Sequence, residues 1–279
     1  MFYPSVFYKA DSCARHYESL NYSFLAIQLV SSVAISVVTL ISSYGVPIDW
    51  LNSFFLILFL GATLLSFYGR FINKWYLYRA LAESTKTITW RFVMCAPPFE
   101  ATDKDARQVY LSRINAMLDE YKSSLSSFNW SSDDSFITDE MDQIRRMSQT
   151  EKKKMYMNDR VEEQLKWYSS KAKYNKVGRN VVTGLVVLCI AVSFIVLYAN
   201  VPQESNFICV ATMICVSCLS WMDAKRYKEL YSSYSWTIKD LNLLKEEYKS
   251  NCDDVALCVA DAENAFSREH SSWLSRKDN

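Results

Sequence analysis

The sequence predicts an all-α membrane protein with four transmembrane helices, arranged as two hairpins and extended by long cytoplasmic antiparallel helices. Three observations predict this class. Lys and Arg are absent from His16 through Gly69, and absent again from Asn180 through Ala224. Each gap holds two apolar stretches free of charge, Tyr22–Ser43 with Trp50–Gly69 and Val181–Val201 with Phe207–Trp221; roughly 20 such residues cross a bilayer as helix. Gly and Pro number five each, with none between Ser5 and Tyr44 and none after Pro202. Helix is therefore expected to run unbroken from cytoplasm into membrane and back out.

Bulk composition hides this plan. A mean hydropathy of −0.06, 22% charged residues and a net charge of +1 describe an ordinary soluble chain; the apolar residues are simply concentrated in four places. The first run begins behind Asp11, Arg15 and Glu18 and lacks a basic start and a small-residue cleavage site, which predicts no removable signal peptide. Basic residues crowd the outer flanks of each hairpin: Lys9, Arg15, Arg70, Lys74 and Arg79 around the first, Lys171, Lys173, Lys176, Arg179, Lys225, Arg226 and Lys228 around the second. The connectors Tyr44–Asp49 and Pro202–Asn206 carry no base. By the positive-inside rule both connectors lie outside, and both termini are cytoplasmic. The last stretch is short and must thin the bilayer or recruit its flanks.

Along the chain, residues 1–100 form a first unit with spans at 22–43 and 50–69. Pro97 and Pro98 stop the helix that leaves the membrane. Residues 101–136 are a cytoplasmic helix, opened by Thr102, Asp103 and Asp105, followed by a serine-rich linker. The apolar side of that helix is expected at Val109, Ile114, Met117, Leu118 and Tyr121. Residues 137–279 form a second unit with spans at 181–201 and 207–222. Thr138, Asp139 and Glu140 open its first helix, with Met141, Ile144 and Met147 on the apolar face. From Tyr227 to Trp273, apolar residues alternate by four and three, interrupted only by Lys245 and Glu269. That 3.5-residue period predicts one long helical seam buried against partner helices, within the chain or in another subunit. The two units share one architecture in parallel orientation, not the inverted repeat with broken helices of secondary transporters.

Chemistry-bearing motifs are few. Only His16 and His270 are present, no glycine-rich phosphate loop occurs, and no nucleophile–base spacing is recognisable, so neither an enzyme nor a cofactor is expected. Cys215 and Cys218 have zinc-like spacing without a second ligand pair, so no metal is expected. The eight cysteines follow no disulfide framework. Gln28, Ser32, Ser36, Thr39 and Ser43 make one polar stripe down the first membrane helix. Such a stripe can line water in an oligomer; equally, small hydroxyl residues let membrane helices pack closely. Without intramembrane charge, proton relays and voltage sensing lose their usual residues. The basic run from Arg145 to Arg179 offers a surface for anionic headgroups or a cytoplasmic nucleotide, though Glu151, Asp159, Glu162 and Glu163 dilute it. Arg79, Glu83 and Lys86 read as a surface ion-pair ladder, and Trp90 and Trp273 as packing anchors.

These residues carry a family resemblance. After the second span come Arg79, Glu83, Lys86 and Trp90, then Pro97, Pro98 and Phe99. In the second half come Met141, Ile144, Arg145, Tyr156, Arg160, Gln164, Trp167, Tyr168, Lys171, Ala172 and Asn175, and finally Glu263, Glu269 and Trp273. In their order around two hairpins the chain resembles the SLATT proteins, two-membrane-helix effector modules of bacterial conflict and antiphage systems, in tandem form. The resemblance implies a pore-forming or membrane-perturbing effector of the bacterial inner membrane, assembling as a homo-oligomer and partnered with nucleotide-signalling or sensor proteins, with no nucleic acid as partner. It makes Arg79, Glu83, Lys86, Trp90, Gln164, Trp167, Tyr168, Asn175 and Trp273 candidate assembly residues. The alternative is a non-conducting scaffold or receptor that anchors a cytoplasmic partner.

Overall fold

A computed structural model describes residues 2–100, 103–120, 122, 128–199, 201–251 and 255–274. Among these no strand occurs, and the helices are α1 (Ser5–Ser42), α2 (Trp50–Gly69), α3 (Phe71–Val93), α4 (Asp103–Glu120), α5 (Asp139–Arg145), α6 (Gln149–Tyr156), α7 (Glu163–Tyr198), α8 (Glu204–Lys225), α9 (Tyr227–Asn251) and α10 (Val255–Leu274). A π-helical segment, Met157–Glu162, joins α6 to α7. Four helical stretches are long and apolar enough to cross a membrane. Each overlaps one expected span, the first and third ending at Ser42 and Tyr198, short of the expected residues 43 and 201. The short last stretch recruits its flanks: α8 has 22 residues, about 33 Å of helix, enough for the hydrocarbon core.

The unbroken-helix expectation holds on entry and fails on exit. α1 and α7 run 38 and 36 residues without interruption. α2 and α8, in contrast, both end at an arginine in the left-handed conformation, Arg70 (φ 47°, ψ 41°) and Arg226 (φ 52°, ψ 39°). The next helix starts one residue later in each case. A non-glycine residue there costs roughly 1–2 kcal/mol, so the breaks carry no glycine signal that the sequence could reveal at Arg226. The C-terminal seam is likewise two helices, α9 and α10, rather than one; residues 252–254 lie outside those described.

The chain forms two compact units. One comprises residues 19–70 and 168–236 and holds the apolar hairpins. Tyr44 Oη donates to the carbonyl of Pro202 at 3.0 Å, and Asn52 Nδ2 to Thr39 Oγ1 at 3.5 Å. Lys225 Nζ sits 3.2 Å from the Tyr22 ring centroid and 5.3 Å from that of Trp221, an interfacial use of aromatics with a cation. Most large apolar side chains of the spans are exposed, Phe54, Ile57, Phe67, Val187 and Ile195 among them. Such faces need lipid or further protein to cover them.

The other unit comprises residues 1–18, 71–167 and 237–279. Its core is α3, on which α10, α4 and α5 pack. Four seam positions spaced seven apart on α9 and α10, Leu241, Tyr248, Val255 and Ala262, are buried. Lys245, the break in that register, pairs with Glu162. α4 buries Ala106, Tyr110 and Ile114, one i, i+4, i+8 line, and leaves Val109 exposed. Of the expected face Ile114 is buried and Met117 and Leu118 are half-buried; Tyr110 draws the buried line away from Val109, its ring 4.5 Å from Phe92 and its hydroxyl 3.1 Å from Thr89 Oγ1. Tyr121 and Thr102 fall outside the described residues.

Thr138 caps α5 as expected, accepting from Met141 N at 3.2 Å, and Met141 and Ile144 are buried. Met147 is exposed, because the helix ends at Arg145 and a second capping box, Ser148 with Glu151, starts α6. That S-x-x-E signature is legible in sequence. Cys13, Cys95, Cys189, Cys209, Cys215 and Cys218 are free thiols. Cys258 is disulfide-bonded, which corrects the expectation of no disulfide.

Candidate functional site

In the hairpin unit, the five stripe residues, four on α1 and Ser43 one residue past its end, fall within about 80° of helical arc. Gln28, Ser32, Ser36 and Ser43 are half-buried and Thr39 is exposed. The buried line of the same helix, Ser31 and Val38, lies roughly 100–120° from the stripe's midline. The stripe is thus not sealed inside the protomer. Four hydroxyls donate to their own helix: Ser32 to Leu29 at 2.8 Å, Ser36 to Ser32 at 3.3 Å, Thr39 to Ile35 at 2.9 Å and Ser43 to Leu40 at 2.6 Å. That internal bonding lets hydroxyls sit in an apolar medium, and it leaves their oxygen lone pairs able to accept from water or a neighbouring helix.

Two further candidates belong to this unit. Tyr168 is buried and its ring lies 5.5 Å from Tyr234. Asn175 is buried and donates to the Lys171 carbonyl at 2.7 Å.

The arm unit holds a charge cluster that spacing alone did not assemble. Arg160 and Glu263 are 1% and 0% exposed. Arg160 Nε and Nη2 each donate to the Glu263 carboxylate at 2.8 Å, Tyr156 Oη donates to the same carboxylate at 2.9 Å, and the guanidinium lies 4.4 Å from the Phe266 ring centroid. Arg160 Nη1 is buried without a hydrogen-bond partner among the described residues. Burial works against the guanidinium's charge, but Glu263 outweighs it and holds the proton above the ordinary arginine range. Burial, reinforced by the Glu263 charge, pushes the Tyr156 hydroxyl well up.

Trp90 continues the cluster. It is buried, meets Tyr156 edge-on at 5.5 Å, and donates through Nε1 to Tyr3 Oη at 2.8 Å. Arg79 bonds Glu83 at 2.6 Å and Asp11 at 3.5 Å. Glu83 is buried while Arg79 and Asp11 are half-buried, so the set is partly sunk into the unit rather than the surface ladder the spacing suggests. Lys86 is half-buried; burial lowers its ammonium's affinity for the proton, Arg160 adds repulsion, and Glu83 opposes both. Gln164 and Trp167 are half-buried on the first turns of α7. The side chain of Trp273 lies outside the described ones.

Arg160 and Glu263 both stand among the residues that carry the family resemblance, but they lie 103 residues apart. No i, i+4 rule connects them. The arrangement can do one thing chemically: lock the π segment to α10 through two charges that cannot be separated cheaply. Among the described residues no group of His, Cys, Asp and Glu could hold a metal ion.

Comparison with protein families decides what the modules are. Residues 4–153 match the SMODS and SLOG-associating 2TM effector domain 3, and residues 156–273 match the SMODS and SLOG-associating 2TM effector domain 1. The chain belongs to the SLATT family. It carries two SLATT modules in tandem, each a two-transmembrane effector domain. No curated protein and no solved structure matches it. The ion pairs Arg79–Glu83 and Arg160–Glu263 fall one in each SLATT match, and the left-handed arginines Arg70 and Arg226 do the same.

Proposed function

We propose that this tandem SLATT chain is a membrane-perturbing effector that assembles as a homo-oligomer in the bacterial inner membrane, with both termini cytoplasmic, and opens a water path along α1. The observation that carries the reading is the uncharged polar stripe Gln28, Ser32, Ser36, Thr39 and Ser43, which is incompletely covered within one protomer. A second copy set against it would enclose a polar, water-compatible lining. Exposed apolar surface on the remaining spans faces lipid in this reading. The reading assigns no enzymatic chemistry to the chain, and antiphage defence is the setting in which such an effector would act.

Activation follows from helix continuity. α1, α7 and α9 each contribute residues to both compact units. A nucleotide-signalling or sensor partner that binds one packing of the arm unit better than another would shift the population toward it, by as much as the two affinities differ and no more. The hydroxyls' bonds to their own helix favour a second reading, a non-conducting scaffold in which the stripe serves close helix packing.

Membrane potential separates the two. Cells expressing the chain under activating conditions should depolarise, and Ser32→Leu, Ser36→Leu and Thr39→Leu combined should abolish depolarisation while the protein still inserts. An intact potential during full effector activity contradicts the pore and leaves the scaffold.

A further inference from the structure

Lys152 is 3% exposed on α6, and its one hydrogen-bond acceptor among the described residues is a thiol. Its Nζ donates to Cys95 Sγ at 3.2 Å, and no carboxylate pairs with it among the described residues. An ammonium removed from water without an anion is costly. The Cys95 sulfur also lies 4.0 Å from the Arg145 carbonyl, to which its thiol donates weakly. Cys95 is half-buried. Its backbone is left-handed, with φ 54°, just past the end of α3, where Ala96 N bonds Arg91 O at 2.9 Å and Cys95 N bonds Phe92 O at 3.2 Å. Glycine is the usual residue in that cap, so a cysteine there is held at a conformational cost.

We propose that Cys95 is a peroxide-reactive thiol and that Lys152 is the cation that activates it. Sulfur attacks peroxide as the thiolate, and an ammonium donating to that sulfur is the partner a thiolate requires. The sulfur attacks one peroxide oxygen, the S–O bond forms as the O–O bond breaks, and the departing hydroxide takes the proton the thiol gave up. Thiol and hydrogen peroxide become sulfenic acid and water; sulfur is oxidised, peroxide is reduced, and Lys152 ends with the protons it began with. The product sits where Arg145, donating to the carbonyls of Phe92 and Phe99, ties α3 to α5, so oxidation would be registered at a joint of the arm unit.

The test uses the full chain in detergent with hydrogen peroxide and dimedone, a trap for sulfenic acid, and mass spectrometry of each cysteine. Cys13 is the internal control, because it is also a half-buried free thiol and burial pushes it up. Cys95 should label at least roughly tenfold faster than Cys13. Lys152→Met should bring Cys95 down to the Cys13 rate without changing Cys13, and Lys152→Arg should keep most of the difference. Equal labelling of the two cysteines in the unsubstituted chain overturns the proposal whatever the variants do. A Cys95 rate unchanged in Lys152→Met overturns the role of Lys152.

Discussion

Glu263 is fully buried and accepts three hydrogen bonds, two from Arg160 and one from Tyr156. Glu263→Gln would leave the guanidinium charged and unpaired in the same place, so it should cost about 3–5 kcal/mol, read from the unfolding midpoint in detergent. Arg160→Met combined with Glu263→Leu should recover much of that loss, since two apolar side chains leave no orphaned charge. A second residue-level prediction concerns alkali. Burial pushes the Tyr110 hydroxyl up to about 12 from an ordinary value of 10.0, against the pull of its bond to Thr89. The unfolded chain therefore releases this proton first. The resulting stability is fully present below pH 10 and is lost as pH rises toward about 12. Tyr110→Phe should flatten that part of the stability profile, and an unchanged slope would remove Tyr110 as its source.

The paired left-handed arginines make a prediction about helix ends. Arg226→Gly should leave stability within about 1 kcal/mol of the parent, because relief of strain offsets the greater freedom of the unfolded chain. Arg226→Val should lose more, since a β-branched residue is a poor fit to positive φ. Close packing of α7 on α9 gives another. A Cβ built on Gly178 lies 3.0 Å from Cε1 and Cζ of Tyr227, a buried ring whose hydroxyl accepts from Trp221 Nε1 at 3.3 Å. The ring is held from both sides, so Gly178→Ala should destabilise by about 1–3 kcal/mol, measured by thermal denaturation. These elements also mark what the sequence could and could not reveal. Spans were legible because charge is excluded from lipid over some 20 residues, and the Thr138 cap because its side chain bonds locally. The break at Arg226 was not, since neither Gly nor Pro stands there. Nor was the Tyr110 face of α4, since its anchors, Phe92 and Thr89, lie on another helix.

Taken together, the chain places its costly interior in the arm unit and its plainest surface in the hairpin unit. Arg160, Glu263, Glu83 and Trp90 are buried in the arms, while the spans expose apolar side chains and one polar stripe. Such a division suits a membrane effector whose spans are covered by lipid or further protein. The family resemblance singled out Glu83, Trp90, Arg160 and Glu263 by their order along the chain, yet their burial is tertiary and invisible to spacing. The charge-free spans likewise predicted a membrane protein but left the stripe's role open, because a hydroxyl that bonds its own helix serves packing and water equally well. Water access to α1 tests the account most directly. In a chain whose native cysteines have been replaced, Ser36→Cys and Val30→Cys place one thiol on the stripe and one on the far, lipid-facing side of the helix, and each is treated with a membrane-impermeant thiol reagent in depolarised cells. The account predicts rapid labelling at position 36 and none at position 30; equal lack of labelling at both positions would contradict it.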